Sequence, residues 1–368
     1  MAFLEAVRAA DSDRLLIVLA DNELGQVLKG KNVTTVTTGN ALFSPWPRDP
    51  MTLFRDPAGG VVVLVRPDSQ WTREADAQMG EILVEGLSKD LKKTWGGLQW
   101  RMADVPFHNG QLLDTGKKLW LSLHSVEPRA LALASYDRVP VSAFAGPPGA
   151  RYINAVRLAA DELGALYGRE PAFVHPLPES SEERAAAANT LGGGAGFDLD
   201  SLLTLLTVND GLVALVADID AGRRLVATAS DKELAQFATR LDLHAEGLRS
   251  GLLASQGAPR AQALDDFLES VARHLATQMA VRRLPLLIVR RELQRDRSHA
   301  DSEFLVGWNN VVLDGRERAE GFRSALAPGD ELARGVFAEL GYELELLPML
   351  RASVLGNGGY RCASQHLR

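Results

Sequence analysis

The feature that most constrains the fold is a recurring order of a β-hairpin, an amphipathic helix and a further strand. Hairpin patterns occupy Gln111–Leu113 with Leu119–Leu123, Leu202–Val208 with Leu212–Ala217, and Phe304–Val306 with Trp308–Leu313 and Asp314-Gly315. Asn209-Asp210-Gly211 between two apolar runs is a strong hairpin signal. Val61–Val65 and Leu286–Val289 are predicted to be further buried strands, since they are short and apolar. This order predicts an α/β protein built from repeated ββαβ units.

Five amphipathic helices are predicted between these strands. They cover Glu74–Thr94, Arg151–Tyr167, Asp231–Leu241, Ala263–Val281 and Glu331–Leu340. Ser230 and Glu233 have the spacing of a capping box at the start of the third helix. The biased stretches 176–196 and 254–262 are predicted to be surface loops, the first with a short helix. Because neither is a clean linker, a single domain is expected over residues 1–368.

Composition restricts the cellular setting. The chain has 368 residues, of which 46% are hydrophobic, so it can bury a large core. No apolar stretch reaches the roughly 18 to 20 residues that a membrane helix needs, and the first residues lack the pattern of a signal peptide. The single cysteine excludes an intramolecular disulfide, which suits a reducing compartment. We therefore expect a cytoplasmic protein that does not bind membranes.

Charge and motif content exclude several classes of function. The net charge is −7, and basic residues form nothing longer than pairs such as Lys117-Lys118 and Arg290-Arg291. Nucleic-acid binding is not expected without a denser basic stripe. The sequence has no Walker loop, Gly-x-Ser-x-Gly elbow, His-Glu-x-x-His or Cys-x-x-Cys motif, so no cofactor and no metal are predicted. Assembly into a homo-oligomer is left open.

The C-terminal segment Gly356–Gln365 contains the only cysteine, Cys362, behind a glycine-rich turn. Glycines there let the backbone bend sharply, which can leave the thiol facing a cavity. This makes Cys362 a candidate nucleophile. The alternative is a buried, inert cysteine that acts as a small hydrophobic residue.

A second candidate segment is Trp46-Pro47-Arg48-Asp49-Pro50. Asp49 has the chemistry to hydrogen-bond a planar cation while Trp46 covers the face of that cation. The alternative is an ordinary Asp-Pro turn.

Together, Trp-x-Arg-Asp near the start and Gly-Gly-x-x-Cys at the end resemble the pentein, or guanidine-modifying, superfamily. That superfamily includes arginine deiminases, agmatine deiminases and dimethylarginine dimethylaminohydrolases. The resemblance spans about residue 42 to the C-terminus, with few identical residues. It implies a five-bladed α/β propeller of ββαβ repeats around one central cavity.

Two internal segments follow the order of the family's motifs but depart from them. His108 stands where the family's Glu-Gly-Gly-Asp-like motif has glutamate, and Asp198 stands where its His-x-Asp-Thr/Ser-like motif has histidine. Asp200 matches the aspartate of the second motif. The acid and the imidazole are thus exchanged between the two segments. A shift of one residue would instead place Phe107 or Phe197 at these positions.

The resemblance implies a cysteine-dependent hydrolase, of deiminase or dihydrolase type, acting on the guanidinium of an arginine-like small molecule or peptide. The catalytic residues it implies are Cys362, His108 and Asp198, and the substrate-binding residues are Asp49, Asp200 and Trp46. Two alternatives stay open. One is an amidinotransferase, and the other is a non-catalytic member of the fold that binds a ligand or a protein through a degenerate site.

Overall fold

A computed structural model of the chain describes residues 16–20, 33–38, 50–55, 59–66, 74–87, 89–135, 148–177, 198–294, 303–313, 317–324, 326–349, 354 and 361. Of the residues singled out above, Trp46, Asp49, Phe197 and Cys362 lie outside this set, as does most of segment 176–196. The internal contacts divide the chain into two compact units. The first unit contains Met1–Asn109 and Cys362–Arg368, and the second contains Gly110–Arg361. The single domain over residues 1–368 stays a prediction.

The described residues of the first unit form two sheets. The strands β1 (Leu16–Ala20) and β2 (Val33–Thr37) form a parallel pair. In the other sheet, β4 (Val61–Val65) pairs with β3 (Met51–Arg55) in antiparallel fashion and with β5 (Leu98–Met102) in parallel. Between β4 and β5 the chain forms a 3-10 helix (Glu74–Gln78) and the helices α1 (Met79–Gly86) and α2 (Lys89–Thr94). This sheet is therefore one ββαβ unit.

The prediction of one helix over Glu74–Thr94 was wrong, since the segment is broken at Leu87. Leu87 has extended backbone angles, φ −78° and ψ 143°. A side chain on Gly86 would collide with Val36 of β2, so helix α1 packs closely on this strand before the chain turns. Tertiary packing thus overrides a helical periodicity that continues past the break.

Three further sheets are described in the second unit. The first of them contains β6 (Leu112–Asp114), β7 (Lys118–Leu121) and β8 (Glu170–Phe173). The first two strands form the predicted hairpin, and β8 joins β7 in parallel. The helices α3 (Leu123–Ser135) and α4 (Pro148–Tyr167) lie between β7 and β8 in the sequence. The predicted helix over Arg151–Tyr167 is confirmed.

The next sheet has the strand order β12-β11-β10-β9. Its strands are β9 (Leu203–Val208), β10 (Gly211–Asp218), β11 (Ala280–Arg290) and β12 (Glu303–Gly307). A short helix, α5 (Leu199–Leu202), precedes β9. Between β10 and β11 come α6 (Ile219–Thr228), α7 (Asp231–Leu241), α8 (Leu248–Gln256) and α9 (Pro259–Ala276). The antiparallel β9–β10 hairpin and the parallel β10–β11 pair again give a ββαβ unit.

The last sheet contains β13 (Val312–Leu313), β14 (Arg318–Phe322) and β15 (Glu343–Leu347), with helix α10 (Ala327–Glu339) between β14 and β15. β13 is antiparallel and β15 parallel to β14. The hairpin predicted across residues 304–313 was therefore wrong, because Phe304–Val306 belongs to β12 and pairs with β11. The described part of the chain thus contains four ββαβ units, which confirms the predicted α/β class.

The core of the second unit forms where helix α9 packs on the four-stranded sheet β12-β11-β10-β9. Leu264, Leu268, Val271 and Leu275 recur at helical spacing, and all four are buried in the same apolar cluster as Leu286 of β11. Truncating one of these leucines to alanine would cost about 2–5 kcal/mol. The helix ends at Ala276 rather than at the predicted Val281, because the chain enters β11 at Ala280 and pairs with β10 there.

Across the described ranges, no helix combines the length and the apolar character needed to cross a membrane.

Candidate functional site

Asp198 and Asp200 lie on one helical turn at the entrance to β9. Asp198 is the residue before helix α5, in extended conformation, and its carbonyl accepts a hydrogen bond from the Ser201 amide at 3.0 Å. The turn leads directly into the buried strand β9. Both aspartates therefore stand at the entrance to a buried strand of the second unit.

Asp200 is a completely buried carboxylate, with 0% of its surface exposed. Its Oδ1 accepts a hydrogen bond of 2.8 Å from Nδ2 of Asn310. Its Oδ2 lies 3.6 Å from Nε of Arg361, forming an ion pair. A buried charge needs such partners, because its transfer from water is otherwise very unfavourable.

Asn310 connects this carboxylate to the backbone near the end of the chain. Its Nδ2 lies 3.3 Å from Oγ of Ser201, and its Oδ1 accepts a hydrogen bond of 2.7 Å from the backbone N–H of Arg361. Arg361 in turn donates from Nη2 to the carbonyl of Leu112 at 3.1 Å. Residue 361 is thus held through both its backbone and its side chain.

A second series of hydrogen bonds within the same unit orients Asp198. Its Oδ1 accepts a hydrogen bond of 2.9 Å from Nε2 of Gln111. The Oε1 of Gln111 accepts one of 3.0 Å from Oγ of Ser122, at the start of helix α3. A Cβ on Gly110 would come within 2.5 Å of Oδ2 of Asp198, so only glycine leaves room for the carboxylate in this position.

His175 completes the polar groups beside Ser122. The backbone N–H of Leu123 donates to its Nε2 at 3.0 Å, and its Nδ1 lies 2.9 Å from the carbonyl of Pro176. The neutral ring with the proton on Nδ1 satisfies both contacts. Burial lowers the pKa of His175 below its usual value, while the Pro176 carbonyl opposes this shift. The ring is therefore a structural cap for helix α3.

Asp330 holds Trp308, which lies two residues before Asn310 in the sequence. The carboxylate oxygen Oδ1 of Asp330 accepts hydrogen bonds from Nε1 of Trp308 at 2.9 Å and from the amide and hydroxyl of Ser324 at 3.0 and 2.8 Å. A side chain on Gly329 would collide with the ring of Trp308. The ring of Trp308 is thus held in place by Asp330 and by close packing on Gly329.

His108 lies in the first unit, where it is half-buried. Its neighbour Phe107 is 2% exposed and belongs to the core. Asn109 donates from Nδ2 to the carbonyl of Met51 at 2.7 Å. The segment that contains His108 is therefore tied to the start of β3, two residues after Asp49 in the sequence.

Of the six predicted site residues, Asp198 and Asp200 lie at the start of helix α5 in the second unit, and His108 belongs to the first unit. Trp46, Asp49 and Cys362 lie outside the described residues. Sequence reasoning assigned no role to Gln111, Asn310 or Arg361. Only Arg361 carried a signal that could have found it, since it directly precedes Cys362.

Comparison with solved structures identifies proteins that share the fold of this chain. A Porphyromonas gingivalis protein assigned as an arginine deiminase is similar over 95% of this chain and 84% of its own, with 12% identity and a TM-score of 0.51. A protein assigned as a peptidyl-arginine deiminase is similar over 100% and 88%, with 12% identity and a TM-score of 0.57. A protein assigned as an agmatine deiminase is similar over 98% of this chain and 85% of its own, with 11% identity and a TM-score of 0.51.

No protein-family model matches the chain, and no curated protein matches it. At these levels of identity, the solved structures establish the fold alone. These structures have the α/β fold that the resemblance implied, and the resemblance is confirmed for the fold. The count of five blades stays a prediction.

Proposed function

We propose that the chain is a cysteine-dependent hydrolase that acts on the guanidinium group of an arginine-like compound, with Cys362 as its nucleophile. The observation that carries this proposal is the carboxylate of Asp198, which accepts a hydrogen bond from Gln111 at 2.9 Å and for which Gly110 leaves room. Asp200, two residues further on, forms an ion pair with Arg361, which directly precedes Cys362 in the sequence.

The three solved structures support the same class of chemistry. They are assigned as deiminases of arginine, peptidyl-arginine and agmatine, and all three of these compounds carry a guanidinium group. A shared fold is not by itself a shared function, so the proposal depends on the residues of the site.

The reaction proceeds through a covalent intermediate. The thiolate of Cys362 attacks the guanidinium carbon, and the new C–S bond gives a tetrahedral adduct. The imidazolium of His108 gives its proton to the departing nitrogen, so the C–N bond breaks and a thiouronium remains. His108 then takes a proton from water, which attacks the same carbon. The C–S bond breaks, and the thiolate and a ureido product are released.

The remaining residues hold the substrate. A carboxylate is suited to a guanidinium, because two parallel N–H groups can bind its two oxygens. We assign this contact to Asp198 and Asp49, with Trp46 covering the face of the cation. Asp200 was predicted to take the same role, but it has a competitor in the chain, the guanidinium of Arg361.

The test is turnover of arginine, agmatine, methylated arginines and arginine-containing peptides, measured as released ammonia, alkylamine or urea. Cys362→Ser should abolish release while leaving the fold intact, because a hydroxyl is a far weaker nucleophile. Substantial turnover by this variant would exclude covalent catalysis by the cysteine. Adding an amine acceptor separates hydrolysis from transfer of the amidino group, which would show as a new guanidine compound.

The roles of His108 and Asp198 differ in their kinetic signature. His108→Ala should lower kcat by roughly 10²- to 10⁴-fold, whereas His244→Ala, at an exposed position, should not. Asp198→Asn should raise KM more than it lowers kcat, and the exposed Asp161→Asn is its matched control. A harmless His108→Ala would remove His108 from the mechanism.

The exchange of acid and imidazole has its own test. The double variant His108→Glu with Asp198→His restores the order of residues that the superfamily has. If the two positions act on the same substrate, their effects should not be additive. Activity in the double variant where each single variant is inactive would establish the exchange.

One observation favours a second candidate, a ligand-binding protein without turnover. Asp200 is occupied within the chain, so one of the expected substrate contacts is already used. Such a protein would bind arginine-like compounds in calorimetry and would release no product from them.

A further inference from the structure

We propose that Asp200 is the internal counter-ion of Arg361 and does not bind substrate, so that Arg361 and Asn310 are positioning residues for Cys362, which follows Arg361 in the sequence. This inference rests on the proposed function, in which Cys362 is the nucleophile. It leaves Asp198 as the carboxylate of the turn that meets the substrate.

Charge balance favours a permanent pair. Asp200 has no exposed surface, and the side chain of Arg361 is only 17% exposed. Arginine stays protonated at any ordinary pH, so it neutralises Asp200 whether or not a substrate is present. A substrate guanidinium could reach Asp200 only by expelling Arg361 from its buried contacts. That exchange would trade one guanidinium for another at the same carboxylate.

The geometry holds Arg361 at three points. Its backbone N–H binds Asn310 at 2.7 Å, its Nη2 binds the Leu112 carbonyl at 3.1 Å, and its Nε faces Asp200 at 3.6 Å. Asn310 also binds Asp200 directly at 2.8 Å, so one amide links the carboxylate to the backbone of residue 361. Consecutive Cα atoms lie about 3.8 Å apart, so fixing residue 361 restricts the position of the residue that follows it.

The experiment is a double-mutant cycle with Asp200→Asn and Arg361→Gln. Each single variant leaves one buried charge without its partner and should lower Tm on the order of 10 °C. The double variant removes both charges and should recover most of that loss. Arg361→Lys keeps the charge without the planar group and should fall between wild type and Arg361→Gln. Arg290→Gln, which breaks an exposed pair with Glu292, is the control and should change Tm little.

Two readouts distinguish positioning from a purely structural role. Cys362 is the only thiol, so its rate of alkylation by iodoacetamide can be followed against pH in every variant. Both single variants and Asn310→Ala should shift this profile, and the double variant should return towards wild type. With a guanidine substrate, Asp200→Asn should lower kcat by up to roughly 10²-fold, as small misplacements do, while KM stays near the wild-type value.

Several results would overturn the inference. Additive Tm losses would show that the two charges are not paired. A higher KM for Asp200→Asn with an unchanged alkylation profile would show that Asp200 binds substrate. Coupled Tm values with an unchanged alkylation profile would show that the pair does not position the thiol. If wild type turns over no guanidine compound, the proposed function fails, while the Tm cycle and the alkylation profiles still decide the role of the pair.

Discussion

Gln111 donates a hydrogen bond from Nε2 to Oδ1 of Asp198 at 2.9 Å, across 87 residues of sequence. Because Gln111 is buried and also accepts from Ser122, it fixes the direction of the Asp198 carboxylate. Gln111→Met keeps the approximate size but removes both hydrogen bonds. We expect it to lower the free energy of unfolding by about 1–3 kcal/mol and to raise KM for a guanidine substrate.

Gln262 offers a matched control for this prediction. It donates to Asp266 at 3.2 Å, but the pair is exposed on helix α9. Gln262→Met should leave both the free energy of unfolding and KM nearly unchanged. Equal effects of the two substitutions, measured by chemical denaturation and steady-state kinetics, would contradict the role given to Gln111.

Gly110 is the residue that leaves room for Asp198. In Gly110→Ala, the new Cβ would stand 2.5 Å from both Cγ and Oδ2 of Asp198, so the carboxylate must move. We expect a stability loss of about 1–3 kcal/mol, as for other overpacked sites, together with weaker binding of arginine analogues in calorimetry. Gly335→Ala is the opposite case, since its Cβ would meet nothing within 4 Å on helix α10. It should stabilise the chain by about 0.5–1 kcal/mol.

His175 makes the stability of the chain depend on pH. Burial lowers its pKa in the folded state, so the unfolded chain binds this proton more readily. The free energy of unfolding should therefore fall as the pH drops below about 6.5, the pKa of an unperturbed histidine. One such group can change the free energy of unfolding by at most about 1.4 kcal/mol per pH unit. Thermal unfolding between pH 8 and pH 5 measures it.

His175→Gln separates this contribution from other titrations. The amide oxygen of glutamine can accept from the Leu123 N–H, as Nε2 of His175 does, and it does not titrate. The variant should lose part of the pH dependence below pH 6.5, whereas the exposed His244→Gln should retain it. An unchanged slope in His175→Gln would mean that other groups control acid stability.

Local chemistry was enough to predict much of the secondary structure. The capping box at Ser230 and Glu233 is present, and helix α7 spans the predicted Asp231–Leu241. The failures occurred where partners are distant in sequence. Nothing in the pattern of residues 304–313 reveals that β12 pairs with β11 while β13 pairs with β14. Apolar periodicity identifies a strand without naming its neighbour.

The sequence likewise revealed only part of the candidate site. Asp198 and Asp200 came from the alignment with a family motif, in which Asp200 matches an aspartate and Asp198 replaces a histidine. Their roles in a site stay predictions. The bond from Asn310 to Asp200 spans 110 residues, and the bond from Arg361 to Asn310 spans 51. Such contacts form only in the completed fold, so they could not be predicted from a single sequence.

Two substitutions in the turn of the β9–β10 hairpin should change the free energy of unfolding in opposite directions. Asn209 and Asp210 form its two-residue turn with φ of 47° and 63°, in the left-handed region that favours glycine. Asp210→Gly should relieve this conformation, which costs an L-residue roughly 1–2 kcal/mol. Glycine also adds unfolded-chain entropy of about 0.4–1 kcal/mol, so a small net stabilisation is expected. Asp210→Val introduces a β-branched side chain that strongly disfavours positive φ, and should destabilise by about 1–3 kcal/mol. Both values come from chemical denaturation. If valine were tolerated as well as glycine, the turn would not have this geometry in solution.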